Sequence, residues 1–123
     1  MGRALVTCCL IVVTFDAIAS FTSLLTQIPY GWFSIPQFAM YVAMGYLLYH
    51  SFELDKEFFI ILLCASACEA TIGWWVSALI GPGKPPGIHV GLMVFSAVFV
   101  VALDTTLGVL GRWIAKARSG PRT

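Results

Sequence analysis

Residues 5–27 form a predominantly apolar stretch with one carboxylate, Asp16, near its middle, and no other feature limits the fold of this chain so strongly. About 20 apolar residues at 1.5 Å rise are what a helix needs to cross the hydrocarbon core of a bilayer. Three more such runs follow, at residues 35–52, 58–80 and 88–110, so four spans are predicted. The joints carry turn chemistry: Ile28-Pro29-Tyr30-Gly31 and Ser34-Ile35-Pro36, then Glu53-Leu54-Asp55-Lys56-Glu57, then Gly81-Pro82-Gly83-Lys84-Pro85-Pro86-Gly87. Barrel strands would be shorter and would alternate, which leaves helices as the reading for all four runs.

Composition points the same way, since 59% of residues are hydrophobic and only 11% charged, against about a quarter charged in soluble domains. The expectation is a single all-α membrane domain over residues 1–123, a four-transmembrane-helix bundle with the lipid bilayer as its first partner. A net charge of +1, with no basic block before the last dozen residues, excludes nucleic acid as a partner. Arg3, Lys56, Arg112, Lys116, Arg118 and Arg122 fall on one side of such a bundle and Lys84 alone on the other. That bias predicts both termini in the cytoplasm, a basic cytoplasmic tail at residues 112–123, and a multi-pass protein of the bacterial cytoplasmic membrane. Arg3, the apolar core and Ala17-Ile18-Ala19 mimic a secretory signal, but Asp16 stands just before the cleavage-like site and the run continues beyond it. A retained first span is therefore expected.

Laying the second half on the first with an offset of 53 matches Leu10 to Leu63, Asp16 to Glu69, Ala17 to Ala70 and Pro29 to Pro82. A parallel two-helix repeat of this kind would place Asp16 and Glu69 at one depth, each roughly 17 Å from the cytoplasmic end. Asp104, six residues before the end of the last run, is expected nearer the cytoplasmic face, at roughly 9 Å. Each acid lies on a small or polar face at helical spacing. In the first run these are Cys9, Asp16, Ser20, Ser23 and Gln27; in the third Ala65, Ser66, Glu69, Gly73 and Ser77; in the fourth Ser96, Ala97, Asp104, Gly108 and Gly111.

No Lys or Arg lies inside any of the four runs. An isolated carboxylate in hydrocarbon is costly enough that it takes up a proton, finds water or binds a cation. Asp16, Glu69 and Asp104, with Ser20 and Ser66 beside them, are the candidate proton, cation or substrate site. His50 with Tyr46 and Tyr49 forms a candidate relay toward Asp104; Lys56 and Arg3 are alternative partners for that acid. Cys8, Cys9, Cys64 and Cys68 lack Cys-x-x-Cys spacing and read as small buried hydrophobes. Cys64 and Cys68 with Met40, Met44 or Met93 are the soft-metal alternative, but the spacing compels no metal, and neither metal nor cofactor is expected.

In size, in span count and in a carboxylate midway along the first helix, Asp16, the chain resembles the small multidrug resistance transporters. That family has a Glu at this place, and Glu69 and Asp104 have no counterpart in it. The function expected is a proton- or cation-coupled carrier working as a homo-oligomer. The alternatives are a non-catalytic subunit of a partner membrane protein, whose acids lock helix packing, and a lipid-handling enzyme using an acidic pair. Enzymes of soluble substrates are excluded by the lack of a nucleophile–base pair or phosphate loop.

Overall fold

A computed structural model describes residues 1–52, 55–81 and 90–120; Glu53, Leu54, Lys84, His89 and Arg122 lie outside the described residues, as does most of the proline-rich turn. The described chain is helical, without strands. Helix α1 spans Gly2–Thr26, α2 Ser34–Ser51, α3 Asp55–Ile80 and α4 Val90–Ser119. Three of them, α1, α3 and α4, are long and apolar enough to cross a membrane. The 18 residues of α2 include Gln37, His50 and three tyrosines, and it falls outside that class.

Local chemistry sets the ends. Gln27 takes a left-handed conformation, φ 58°, and stops α1 just before Pro29. Ser23 Oγ donates to the Ile28 carbonyl at 2.7 Å, and a 3₁₀ turn at Tyr30–Phe33 leads into α2. Pro36 sits in the first turn of α2, where its missing N–H costs no helical hydrogen bond. Asp55 and Glu57 occupy the first turn of α3, and Lys116 and Arg118 the last turn of α4, each complementing the helix dipole. Helix α4 does not stop near residue 110 but continues to Ser119, through most of the stretch read as a tail.

Helix α1 lies along α3 and α2 along α4, and α3 also packs on α4, joining the two pairs. Contacts rise together along α1 and α3, from Cys9 with Cys68 through Asp16 with Gly73 to Ser20 with Ser77, so these helices are parallel. Helices α3 and α4 are antiparallel, with Leu62 against Gly108 and Asp55 paired to Arg112. Between α2 and α4 the backbones themselves meet. A Cβ on Gly45 would strike the Gly108 backbone, and one on Gly111 the Val42 carbonyl. Small residues allow this approach, which supplies close dispersion contact between the two helices. The buried residues of α4 are Asp104, Gly108, Gly111 and Ala115, one helical seam. Before that seam, Val90, Leu92, Val94, Phe95, Val98 and Phe99 are all exposed.

The core is asymmetric. Cys8, Val12, Met44, Leu48, Phe58, Ile61 and Leu62 fill the end of the bundle that holds both termini. Buried hydroxyls occupy the other end: Ser20, Ser23 and Ser77. Midway along α3, residues Glu69–Gly73 form a π-helical turn. Such a wide turn leaves carbonyls without their usual partners. Here the Thr71 hydroxyl donates to the Ala67 carbonyl at 2.6 Å and approaches that of Cys68 at 3.4 Å.

Candidate functional site

Three carboxyl groups from three helices gather at the boundary between the apolar and hydroxyl-rich halves. Asp16 is 2% exposed, Glu69 2% and Asp104 1%. Glu69 is held from α2, with Gln37 Nε2 donating to one oxygen and the Tyr41 hydroxyl to the other at 2.5 Å. It also lies within side-chain hydrogen-bond reach of Asp104. Two carboxyls so placed bond to each other when one of them carries a proton. Asp104 Oδ2 has no hydrogen-bond partner among the described residues.

Asp16 forms a neighbouring half-site. Its Oδ1 accepts from the Tyr30 hydroxyl at 3.0 Å, and its Oδ2, buried against Gly73, has no hydrogen-bond partner among the described residues. Asp16 precedes the end of α1 by ten residues, about 15 Å of helix. The chain must therefore fold back beside α1 for Tyr30 to reach it. Ser20 Oγ donates to Ser77 Oγ at 2.9 Å, and both hydroxyls face the Tyr30 phenol. Burial, and then the Asp16 charge, push the Tyr30 phenol up to about 12, which keeps it a donor.

Two expectations about these acids are corrected. The α1–α3 contacts Asp16–Gly73 and Ser20–Ser77 have a register of 57, where the repeat offset was 53. Asp16 and Glu69 are consequently displaced by one turn, roughly 6 Å along the helices. They still interact through space. Asp104 is the acid nearest the end that holds both termini, as its place in the last run implied: Leu62 meets Gly108, which puts Asp104 level with Ser66, one turn from Glu69, but α4 runs on beyond it to Ser119 and its expected partners are not there. Its neighbour is Glu69, and neither Lys56 nor Arg3 reaches it. The ion pair of that end joins Arg112 to Asp55.

The remaining candidates are placed as follows. Ser20 joins the Asp16 half-site. Ser66 donates to the Leu62 carbonyl of its own helix at 2.9 Å and faces Tyr41. His50 is exposed, its ring against Tyr46 and Tyr49 at centroid distances of 5.4 and 5.3 Å. It follows Tyr41 by nine residues, about 13 Å of helix, and the structure does not bring it to Asp104. No group of three or more His, Cys, Asp or Glu side chains placed to hold a metal occurs among the described residues. Grooves of 390 Å³ beside Met40 and Met44, and of 510 Å³ beside Tyr46 and Ile114, are apolar and are not lined by the acids.

Tyr30, Gln37 and Tyr41 were missed by sequence reasoning. Gln37 and Tyr41 stand one turn apart in a run otherwise apolar at that end, which is a readable signal. Tyr30 lies in a loop, and nothing in its neighbourhood shows that the loop folds inward. No family model matches this chain, and neither a curated protein nor a solved structure shows significant similarity to it.

Proposed function

We propose that this is a four-span protein of the cytoplasmic membrane, both termini inside, in which the Asp16, Glu69 and Asp104 carboxyls bind and release protons to drive a proton- or cation-coupled carrier. The observation that carries this reading is the pair of buried oxygens, Asp16 Oδ2 and Asp104 Oδ2, that have no hydrogen-bond partner and no ion-pair partner among the described residues. Two such groups at the centre of a bundle are costly to maintain for packing alone, and ionisable residues at membrane depth are functional by default. In this arrangement α2 crosses with its less apolar face against α3 and α4. Exposed Leu10, Ile18, Leu47 and Leu79 meet lipid, and exposed Trp32, Trp75 and Trp113 lie toward the interfaces.

The asymmetric core gives the cycle a direction. Hydroxyls lead from the Tyr30 loop to Asp16, whereas Leu48, Phe58 and Leu62 close the cytoplasmic side. Protons enter from the outer face in this conformation, and a second, inward-open state is required to release them. Carriage by four short helices calls for a second copy, and α4 between residues 90 and 99 is the surface left for it.

The test is uptake of tetraphenylphosphonium, a lipophilic cation, into proteoliposomes under an imposed pH gradient. Asp16→Asn, Glu69→Gln and Asp104→Asn are expected to lose gradient-driven transport while keeping the elution volume and helicity of the native protein. Undiminished gradient-driven flux in all three variants refutes the reading. A second reading, a subunit whose acids only lock helices, is favoured by the complete hydrogen bonding of Glu69 to Gln37 and Tyr41. It predicts that no gradient-driven flux occurs even in the native protein, and that the amide variants keep the assembly.

A further inference from the structure

We infer that Cys9 and Cys68 are a modification site: an oxidisable thiol pair that closes to a cystine cross-link between α1 and α3 when a lipid hydroperoxide reaches it. The inference stands apart from the carrier reading, because it uses none of the acids. The two sulfurs, from residues 59 apart in sequence, lie 3.1 Å from each other. That is closer than an ordinary sulfur–sulfur contact. Both side chains are half-buried, so they border the lipid-facing side of the α1–α3 seam.

The other cysteines do not compete. Cys64 and Cys68 are one turn apart on one helix, where Cβ atoms stand about 5–6 Å apart, beyond the roughly 3.5–4.5 Å a disulfide needs. Cys8 is buried in the core beside Val12 and Met44, on a different face of α1. The bonding pattern also joins the pair. Cys68 donates its S–H to Cys9 Sγ, and Cys9 points its own S–H toward the Cys64 carbonyl at 3.9 Å. The two sulfurs are thus in direct contact, and whichever is oxidised first has the other in place to resolve it.

The chemistry balances in two steps. One sulfur of the pair attacks the hydroperoxide, the O–O bond breaks, and a sulfenic acid and a lipid alcohol form, the thiol proton passing to the departing oxygen. The other sulfur then attacks the sulfenic sulfur, the S–O bond breaks, and the hydroxyl leaves as water with the second thiol's proton. Two thiols lose two electrons in all, and the peroxide gains them. The link would fasten α1 to α3 next to Glu69, at the edge of the π turn. A dithiol reductant reverses it by exchange.

The experiment treats purified protein in dodecylmaltoside with cumene hydroperoxide, then denatures it in SDS and counts free thiols by maleimide mass-tagging. The native chain is expected to fall from four tags to two, with dithiothreitol restoring four and tryptic mass spectrometry recovering a Cys9–Cys68 linked peptide. Cys64→Ser should fall from three tags to one, whereas Cys9→Ser and Cys68→Ser should keep all three. Retention of four tags by the native chain, loss of two tags in Cys9→Ser, or loss that dithiothreitol does not reverse would each overturn the inference. Serine is nearly isosteric with cysteine, and matching elution volumes establish that the variants are folded.

Discussion

Replacing Gly45 by Ala tests whether α2 and α4 pack backbone to backbone. The added Cβ would overlap the carbonyl, carbonyl carbon and Cα of Gly108, all main-chain atoms with no side chain to swing aside. The helices must separate or shift, and overpacking of this kind costs about 1–3 kcal/mol. Against it stands the helix preference of Ala over Gly, roughly 0.8–1 kcal/mol. The net expectation is destabilisation of up to about 2 kcal/mol. Gly108→Ala meets instead the terminal carbons of Leu62, which is fully buried but has rotamers to explore, so its penalty should be smaller. Gly91→Ala meets nothing within 4 Å and should gain stability from propensity alone. Unfolding followed by circular dichroism in dodecylmaltoside should therefore rank Gly45→Ala lowest, Gly108→Ala next and Gly91→Ala at or above the native chain. Equal midpoints for Gly45→Ala and Gly91→Ala would refute the close approach and with it the placement of Asp104, which sits on the same seam of α4.

Two further outcomes follow from side-chain geometry. Tyr41→Phe leaves one Glu69 oxygen without its donor in a fully buried setting. Unsatisfied buried groups cost about 1–3 kcal/mol, while hydrogen bonds between membrane helices average only about 0.6 kcal/mol. A loss between those limits is expected in the same unfolding assay, and it should shrink when Glu69→Gln is already present; fully additive losses would reject the contact. At the other end of the bundle, Asp55 is 79% exposed, so its pairing with Arg112 is worth at most about 1 kcal/mol and fades with salt. Arg112→Ala should cost more than Asp55→Asn in both low and high salt, because the guanidinium also covers the Phe58 ring at 4.4 Å and the Tyr49 ring at 5.9 Å. Equal costs at low salt that both vanish at high salt would count against this packing role.

The helices were legible because apolar length and turn residues are local properties. The runs at residues 5–27, 35–52 and 58–80 match α1 to α3 within three residues at each end. The inward face of α3 was legible for the same reason: Ala65, Ser66, Glu69, Gly73 and Ser77 are all buried. Register between helices was not, because it depends on which small residues nest together, and an offset read by aligning one run on another carries no packing information. The one-turn difference between 53 and 57 separates a level pair, Asp16 with Glu69, from the observed grouping. The extension of α4 past residue 110 was hidden by Arg112 and Trp113, which end an apolar run without ending a helix. The Cys9–Cys68 contact had no sequence signal, since its partners come from different helices.

The π turn ties the two acid half-sites to one element. Glu69 opens it, facing Gln37, Tyr41 and Asp104, and Gly73 closes it against Asp16. An α-helix turns about 100° per residue, so drawing the extra residue of the π turn back into regular helix would rotate one end of α3 against the other by about that angle. Glu69 and Gly73 could not then keep both sets of neighbours. Either Glu69 would leave the Gln37 and Tyr41 donors, or the wall beside Asp16 Oδ2 would change from a glycine to a side chain. Within the turn, the Thr71 hydroxyl bonds the carbonyl of Ala67. Two acids one turn apart on separate helices interact through space, and a change confined to these five residues would alter the surroundings of both without a rearrangement of the whole bundle.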